Sequence, residues 1–427
     1  MTALFLAFLL AFLFAAGAPI AFAVGVAAAA GLLMTGLGNA TVAAQRIFAG
    51  MNSYPLLALP LFILAGNVLV RGGIIERLVI FADLVVGRIR GGLAQVNVLA
   101  NLMMAGVSGS ATADTAALGA VMVPTMRERG YRVDFAAALT TSAAIMAPIM
   151  PPSLVMVIYA IPTKLSIGAM FMAGIVPALL IALCLMAYVR WACRDMPLRV
   201  PEPGGPGALR ATIDAVPVLL APLIVVGGVR GGLFTATEAA AVLVGYTLLV
   251  TMVLYRSIRL KELAEILHES AVTTATVMLV VATSSLFAWF LAIENVPNAA
   301  RDLFMAIADN KIVFLLIVNV FLLVVGSFVD TVPAILIFVP ILQPAAVQFG
   351  VDPIHFSIVV IVNLMIGLNT PPIGTNLFVI ATVSRQSVGA VTRALLPFYA
   401  VKLVALALIT YLPILSLWLP RLAGLMR

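Results

Sequence analysis

Charge is scarce in this chain. Only 10% of its 427 residues are Asp, Glu, Lys or Arg, against about 25% in a soluble domain. With 63% of residues hydrophobic and a mean hydropathy of +1.19, no globular core could hide that much apolar surface from water. A soluble enzyme is excluded. Cysteine is scarcer still. Cys184 lies in an apolar stretch and Cys193 among basic residues, so the two read as ordinary thiols rather than a disulfide framework. His268 and His355 sit near opposite boundaries of their spans, too far apart for a shared site. There is no HExxH, no GxxxxGK[ST] and no Ser/His/Asp constellation, and so no signal for catalysis or ATP hydrolysis. The clustered carboxylates or histidines that a membrane-embedded transferase needs at an interface are also missing.

What the chain has instead is long apolar runs. At about 20 apolar residues per crossing they allow roughly ten spans. The runs are continuous rather than ten-residue alternating segments, which excludes an outer-membrane barrel. The fold class is an all-α polytopic membrane protein. The charge balance, 24 Lys and Arg against 17 Asp and Glu, fits basic residues gathered in the cytoplasmic loops of an inner-membrane protein better than nucleic acid. The N-terminus runs straight into apolar sequence without a positive n-region and reads as a retained span. One polar interval, 190–215, carries Arg194, Arg199 and Arg210 with a Pro- and Gly-rich run from Pro201 to Gly207. It reads as a cytoplasmic linker.

The halves on either side repeat one another. Asp114-Thr115 is followed by Val123-Pro124, and Asp330-Thr331 by Val339-Pro340, at the same spacing. Pro151-Pro152 corresponds to Pro371-Pro372. Ser166-Ile167-Gly168-Ala169, with Pro177 behind it, corresponds to Ser387-Val388-Gly389-Ala390, with Pro397 behind it. The stretch 93–126 is broken near Gly106 to Asp114 into two arms of about fourteen residues, roughly 20 Å each, short of the ~30 Å hydrocarbon core. With Arg88 and Arg90 before it and Arg127, Arg129 and Arg132 after it, it reads as a hairpin that enters and leaves at the cytoplasmic face. The stretch 312–348 repeats the layout around Gly326 to Asp330; its flanks, Asp309, Asn310 and Lys311 before and Asp352 and His355 after, carry no basic excess, and it reads as entering from the periplasm. The repeat is therefore inverted, with ten spans and two re-entrant hairpins.

The expected organisation is N-terminal scaffold helices over 1–53, then a first repeat over 54–189. That repeat holds a surface arm at 74–90, the hairpin at 93–126 and a broken helix at 133–160. The linker and further scaffold helices over 216–255 follow. A second repeat over 271–416 holds an arm at 297–311, the hairpin at 312–348 and a broken helix at 354–382.

Non-helical chain at membrane depth must be buried in protein or line a wet cavity. Four such places are expected: the two hairpin tips and the breaks at 147–153 and 368–376, where paired prolines cannot donate backbone bonds. Broken helices offer carbonyls to a cation and N–H groups to an anion. The side chains there suit a small hard cation such as sodium: Ser108, Ser110, Asp114 and Ser153 in the first half, and Ser327, Asp330, Asn369, Thr370 and Thr375 in the second. Asp114 and Asp330 are candidates by depth alone, although each could merely cap the arm that follows it. Substrate candidates are Ser110, Thr112, Pro151, Pro152, Thr375 and Asn376. Lys402, inside the last apolar span, is expected to snorkel or to touch another subunit. Glu238 is expected to cap or pair within the scaffold.

The block from Gly91-Gly92-Leu93-Ala94 to Asp114-Thr115 resembles the large membrane subunit of TRAP (tripartite ATP-independent periplasmic) transporters. So do Met150-Pro151-Pro152-Ser153, Gly231-Gly232-Leu233-Phe234-Thr235-Ala236-Thr237-Glu238 and Asn369-Thr370-Pro371-Pro372-Ile373-Gly374. The resemblance runs through the whole chain. It implies an elevator-type, ion-transporter-like fold that takes up an organic anion, a carboxylate or acidic sugar, with sodium as the coupling ion and no cofactor. A periplasmic substrate-binding protein and a small membrane subunit of about four helices are the implied partners. That small subunit is not expected to be fused at the N-terminus. One sodium would bind between the first tip and the break at Pro151 and Ser153, another between the second tip and the break at Asn369, Thr370 and Thr375. The alternative is a single-component sodium–dicarboxylate or arsenite-type carrier of the same architecture.

Overall fold

In a computed structural model the chain is described over residues 2–36, 39–195 and 207–426, and the described residues are helical with no strand. Three helices open it: α1 (Thr2–Ala15), α2 (Ile20–Thr35) and α3 (Ala40–Met51). A short turn at Tyr54–Leu57 leads into α4 (Ala58–Arg71), and α5 (Ile74–Val86) follows. Next come α6 (Gly92–Ser108) and α7 (Ala111–Glu128), then α8 (Val133–Ala144) and α9 (Leu154–Thr163), then α10 (Ile167–Ala192). After these come α11 (Ala208–Arg230), α12 (Ala236–Leu248) with a π-helical extension over Leu249–Leu254, and the long α13 (Leu260–Ile293). The remaining helices are α14 (Val296–Ile307), α15 (Lys311–Phe328), α16 (Thr331–Gln348), α17 (Pro353–Gly367), α18 (Thr375–Ser384), α19 (Val388–Tyr411) and α20 (Ile414–Leu422).

From α4 to α10 and again from α13 to α19 the order is the same: a long helix, an arm, a hairpin, an interrupted helix, a long helix. Matching residues start matching elements. Ser166 and Ser387 cap α10 and α19, accepting the N–H of Ala169 and Ala390 at 3.3 and 3.2 Å; such a cap stabilises a helix by about 1 kcal/mol. The Pro151–Pro152 and Pro371–Pro372 bonds are both cis. Thr235 and Glu238 form a reciprocal capping box at the start of α12, the scaffold role expected of Glu238.

Several boundaries differ from the expectation. The hairpin arms are 17 or 18 residues long rather than fourteen, or about 26 Å, because helix continues to within two residues of each tip. Length alone would let them cross. Among the described residues eight helices are long and apolar enough to span a membrane, α15 and α16 among them. The halves of the interrupted helices, and α1 and α2 at 14 and 16 residues, are each too short to be counted singly. The linker is shorter at both ends, since α10 reaches Ala192 and α11 starts at Ala208; Arg199 and the run Pro201 to Pro206 lie outside the described residues.

The inversion is visible in α4 and α13, the counterparts that precede each arm. Arg71 of α4 pairs with Glu269 of α13, Asn67 donates to Ser270 at 2.9 Å, and Ile63 and Leu59 share a cavity wall with Thr273 and Val277. Numbers fall along one helix as they rise along the other, so the counterparts run antiparallel. The packing obeys the same exchange: α7 lies on α8 and α18, and α16 on α17 and α9.

Long-range polar contacts sort into two sets. One ties hairpins, interrupted helices, α10 and α19 together: Gln95 to Met186 at 2.9 Å, Thr112 to Asn376 at 2.8 Å, Thr141 to Asn369 at 3.1 Å, Tyr159 to Gln343 at 2.5 Å and Asn319 to Thr410 at 3.1 Å. The other ties the remaining helices: Asn67 to Ser270, Tyr246 to Pro217 and Tyr255 to Asp214, with Arg46 over Trp289 and Arg77 over Tyr255. Where the sets meet, the close approaches are apolar, as Gly106 against Pro222 and Gly168 against Val229.

Candidate functional site

Each tip rests on the break of its own half. In the first, Gly109 (φ +63°) lies so near the carbonyl of Pro152 that a Cβ would stand 2.9 Å from that oxygen. In the second, the Ser327 carbonyl accepts the N–H groups of Ile373 and Gly374 at 3.1 and 3.2 Å. Behind that contact Gly326 and Gly367 cross with their backbones touching; a Cβ on Gly367 would meet the Gly326 carbonyl carbon at 2.6 Å. Only glycine permits so close an approach.

The halves are then joined across the pseudo-symmetry axis. The Thr112 hydroxyl at the first tip donates to Asn376 of the second break, and Asn369 both accepts from the Thr141 hydroxyl and donates to the Thr141 carbonyl at 2.9 Å. Tyr399 donates to the Asn369 carbonyl. Both tips and both breaks therefore converge on a cavity of about 160 Å³. One wall is Gly109 to Thr112, Pro148, Leu154, Val155 and Ile158, with Asp330 to Val332, Met365 and Leu368; the facing wall is Leu59 and Ile63 of α4 with Thr273 and Val277 of α13.

Of the residues named from sequence, Ser110, Thr112 and Asp330 line this cavity. Ser110 caps α7, and its oxygen accepts the Ala113 N–H at 3.3 Å. Asp330 caps α16, accepting the Thr331 N–H at 2.6 Å. Asp114 does not cap: it lies in the first turn of α7 behind Ser110, fully buried. Neither of its oxygens meets a partner at hydrogen-bonding geometry, and the Ser108 hydroxyl is the polar group set against it. Ser153 is buried and committed to α9, donating to the Pro148 carbonyl at 2.6 Å and accepting the Met156 N–H at 3.2 Å. Ser327 donates to Val324 at 2.7 Å and Thr370 to Ile366 at 2.9 Å, which leaves their oxygens as acceptors. The Thr375 hydroxyl and the Asn376 amide nitrogen have no partner among the described residues. Pro151 and Pro152 are buried beneath the first tip.

The expectation for Lys402 is corrected. It neither snorkels nor faces outward: it is 1% exposed, within α19, with its ammonium 4.5 Å over the ring of Tyr399. Residues that sequence reasoning missed are the facing wall on α4 and α13, the Thr141 and Tyr399 partners of Asn369, and the cavity-lining Thr331. Thr331 alone had a signal, as the Thr of the repeated Asp-Thr pair.

The chain matches, over residues 6–415, the family described as the DctM component of the tripartite ATP-independent periplasmic transporter. It is 39% identical to the sialic acid TRAP transporter large permease protein SiaM of Vibrio cholerae, over 95% of this chain and 96% of that one. It is 40% identical to the C4-dicarboxylate TRAP transporter large permease protein DctM of Pseudomonas aeruginosa, over 90% of each. Among solved structures it superposes on the YdaH transporter of Alcanivorax borkumensis with a TM-score of 0.61 at 12% identity, over 87% of each chain, a likeness of fold. With its apolar spans and this match along nearly its whole length, the chain belongs to the DctM family of tripartite ATP-independent periplasmic transporters, as a multi-pass bacterial inner-membrane protein.

Proposed function

We propose that this permease carries an organic anion, a carboxylate or acidic sugar, inward by sodium symport. A periplasmic binding protein delivers the substrate, and a small membrane subunit of about four helices braces the scaffold. The hairpins and interrupted helices form a body that moves as an elevator against α4, α13 and their neighbours. The observation that carries this reading is the cavity itself: one wall belongs to the body knit by Thr112–Asn376 and Thr141–Asn369, the other to the pair α4 and α13. Polar ties within each body and apolar contact between them suit sliding, since a hydrogen bond broken mid-membrane costs more than one apolar contact exchanged for another.

Sodium finds oxygen-rich surroundings on both sides. Ser108, Ser110 and Asp114 offer a cage at and behind the first tip. Asp330, the Thr375 hydroxyl and the free lone pairs of Ser327 and Thr370 offer one at the second. Carboxylate and hydroxyl oxygens are the ligands a hard cation takes, and a buried carboxylate without a counter-charge is costly at this depth. The bound cations, with the N-terminal ends of α7 and α16, would attract a carboxylate without an arginine. Ion and substrate affinities are then coupled reciprocally.

The test is uptake into proteoliposomes holding the chain with its small subunit and a candidate binding protein, with and without an inward sodium gradient. Ser110→Ala and Thr375→Val are expected to weaken the sodium response while leaving the subunits co-purifying. Unchanged sodium dependence in both variants removes the site assignment, and uptake without a gradient removes the coupling. Uptake without any binding protein would make the chain a single-component carrier.

A further inference from the structure

The two walls of the cavity differ in what they can hydrogen-bond. On the tip side, Thr331 lines the cavity at 3% exposure, and its hydroxyl has no partner among the described residues. The Ser110 oxygen accepts the Ala113 N–H, and its proton has no acceptor among the described residues. Two hydroxyl donors, one from each hairpin, therefore stand at the starts of α7 and α16, where unpaired N–H groups add positive potential. On the facing wall Leu59, Ile63 and Val277 are apolar, and Thr273 has already given its proton to the Glu269 carbonyl at 2.9 Å. Thr273 can offer the cavity only an acceptor. None of the lining residues is Lys, Arg or His, and the one charge among them is Asp330. The volume, about 160 Å³, is below the roughly 300–1,000 Å³ of sites for drug-sized molecules.

We propose that the cavity selects a short-chain acid with one carboxylate and a hydroxyl at its far end, carboxylate toward Ser110 and Thr331 and hydroxyl donating to Thr273. This rests on the functional reading above and deepens it. A single anionic head is met by two donors, two helix ends and the coupling cations. A second carboxylate at the other end would face three apolar side chains and an acceptor oxygen; Asp330 lies on the tip wall beside Thr331, where the functional reading sets a sodium ion against it. Desolvating the second carboxylate at that far end has no compensation. Thr273 then acts as a specificity-determining residue placed on the scaffold, and reads the substrate only in positions of the mobile body that bring it against α13.

Three four-carbon probes separate the possibilities: 4-hydroxybutyrate, butyrate and succinate, titrated by thermal shift onto the permease purified with its small subunit, in sodium and in potassium. The expected order in sodium is 4-hydroxybutyrate tightest, butyrate weaker by roughly three- to tenfold as one hydrogen bond is lost, and succinate weakest. In Thr273→Val the first two should converge, while Thr273→Ser keeps them apart. Succinate binding as tightly as 4-hydroxybutyrate, or an equal loss for all three probes in Thr273→Val, overturns the proposal and leaves sodium-coupled anion transport standing. If none of the acids binds in either cation, the short-chain assignment is overturned, and the functional reading is decided by the uptake test above.

Discussion

Asn369 shows how much one side chain at the second break holds. Its oxygen takes the Thr141 hydroxyl and its nitrogen gives to the Thr141 carbonyl, both out of water, and its own carbonyl takes the hydroxyl of the part-buried Tyr399. Thr141→Val keeps the volume but leaves the Asn369 oxygen unpaired. The expected cost is about 1–3 kcal/mol, measured as a lower unfolding temperature of the detergent-solubilised protein, with a normal temperature refuting the tie. At this scale the sequence was partly legible. Ser110, Thr112 and Asp330 could be placed because hydroxyls and carboxylates are rare at membrane depth and sit beside broken helix. Thr141 and Thr273 could not, because a threonine inside an unbroken apolar run looks the same whether it packs, back-bonds its own helix or faces a cavity. Lys402 misled for a related reason: a long cationic side chain in an apolar helix ordinarily escapes to the interface, and only the packed fold shows that it is enclosed.

Among elements, the paired prolines and repeated Asp-Thr motifs marked the interrupted helices and hairpins because they act through local backbone chemistry. The tips were drawn too wide because Ser110 and Asp330 cap so close to the preceding arms that only two residues in each hairpin stay outside helix. The contact of Gly326 with Gly367 could not be read at all, since glycine is common in membrane helices and nothing local says which one meets another backbone. It gives a sharp expectation. Gly367→Ala puts a methyl 2.6 Å from the Gly326 carbonyl carbon, and backbone cannot yield as a side chain does. A loss of about 1–3 kcal/mol or more is expected, with the second tip displaced from Ile373 and Gly374. Protease sensitivity near residue 330 reports that displacement; Gly389→Ala, which meets open space, is the control.

For the whole molecule, the two bodies can be tested by tying them together. Ile63 of α4 and Ile158 of α9 face the cavity from opposite walls. With Cys184 and Cys193 removed, a bifunctional thiol reagent joining Ile63→Cys to Ile158→Cys is expected to abolish uptake, and reducing a cleavable reagent should restore it. The same reagent on Arg71→Cys with Glu269→Cys, both within the scaffold, should leave uptake unchanged. Uptake that survives the first cross-link would mean that α4 and α9 never part.

The grip of Ile373 and Gly374 on the Ser327 carbonyl carries a consequence for pharmacology and for speed. A hairpin latched by its own backbone makes a poor flap. On the elevator reading proposed above, cargo is not admitted by peeling that loop aside, and turnover depends on a single gross displacement rather than on two independent doors. A blocking molecule should wedge into the greasy seam beside α13, and a compound shaped for the loop would find nothing to prise open.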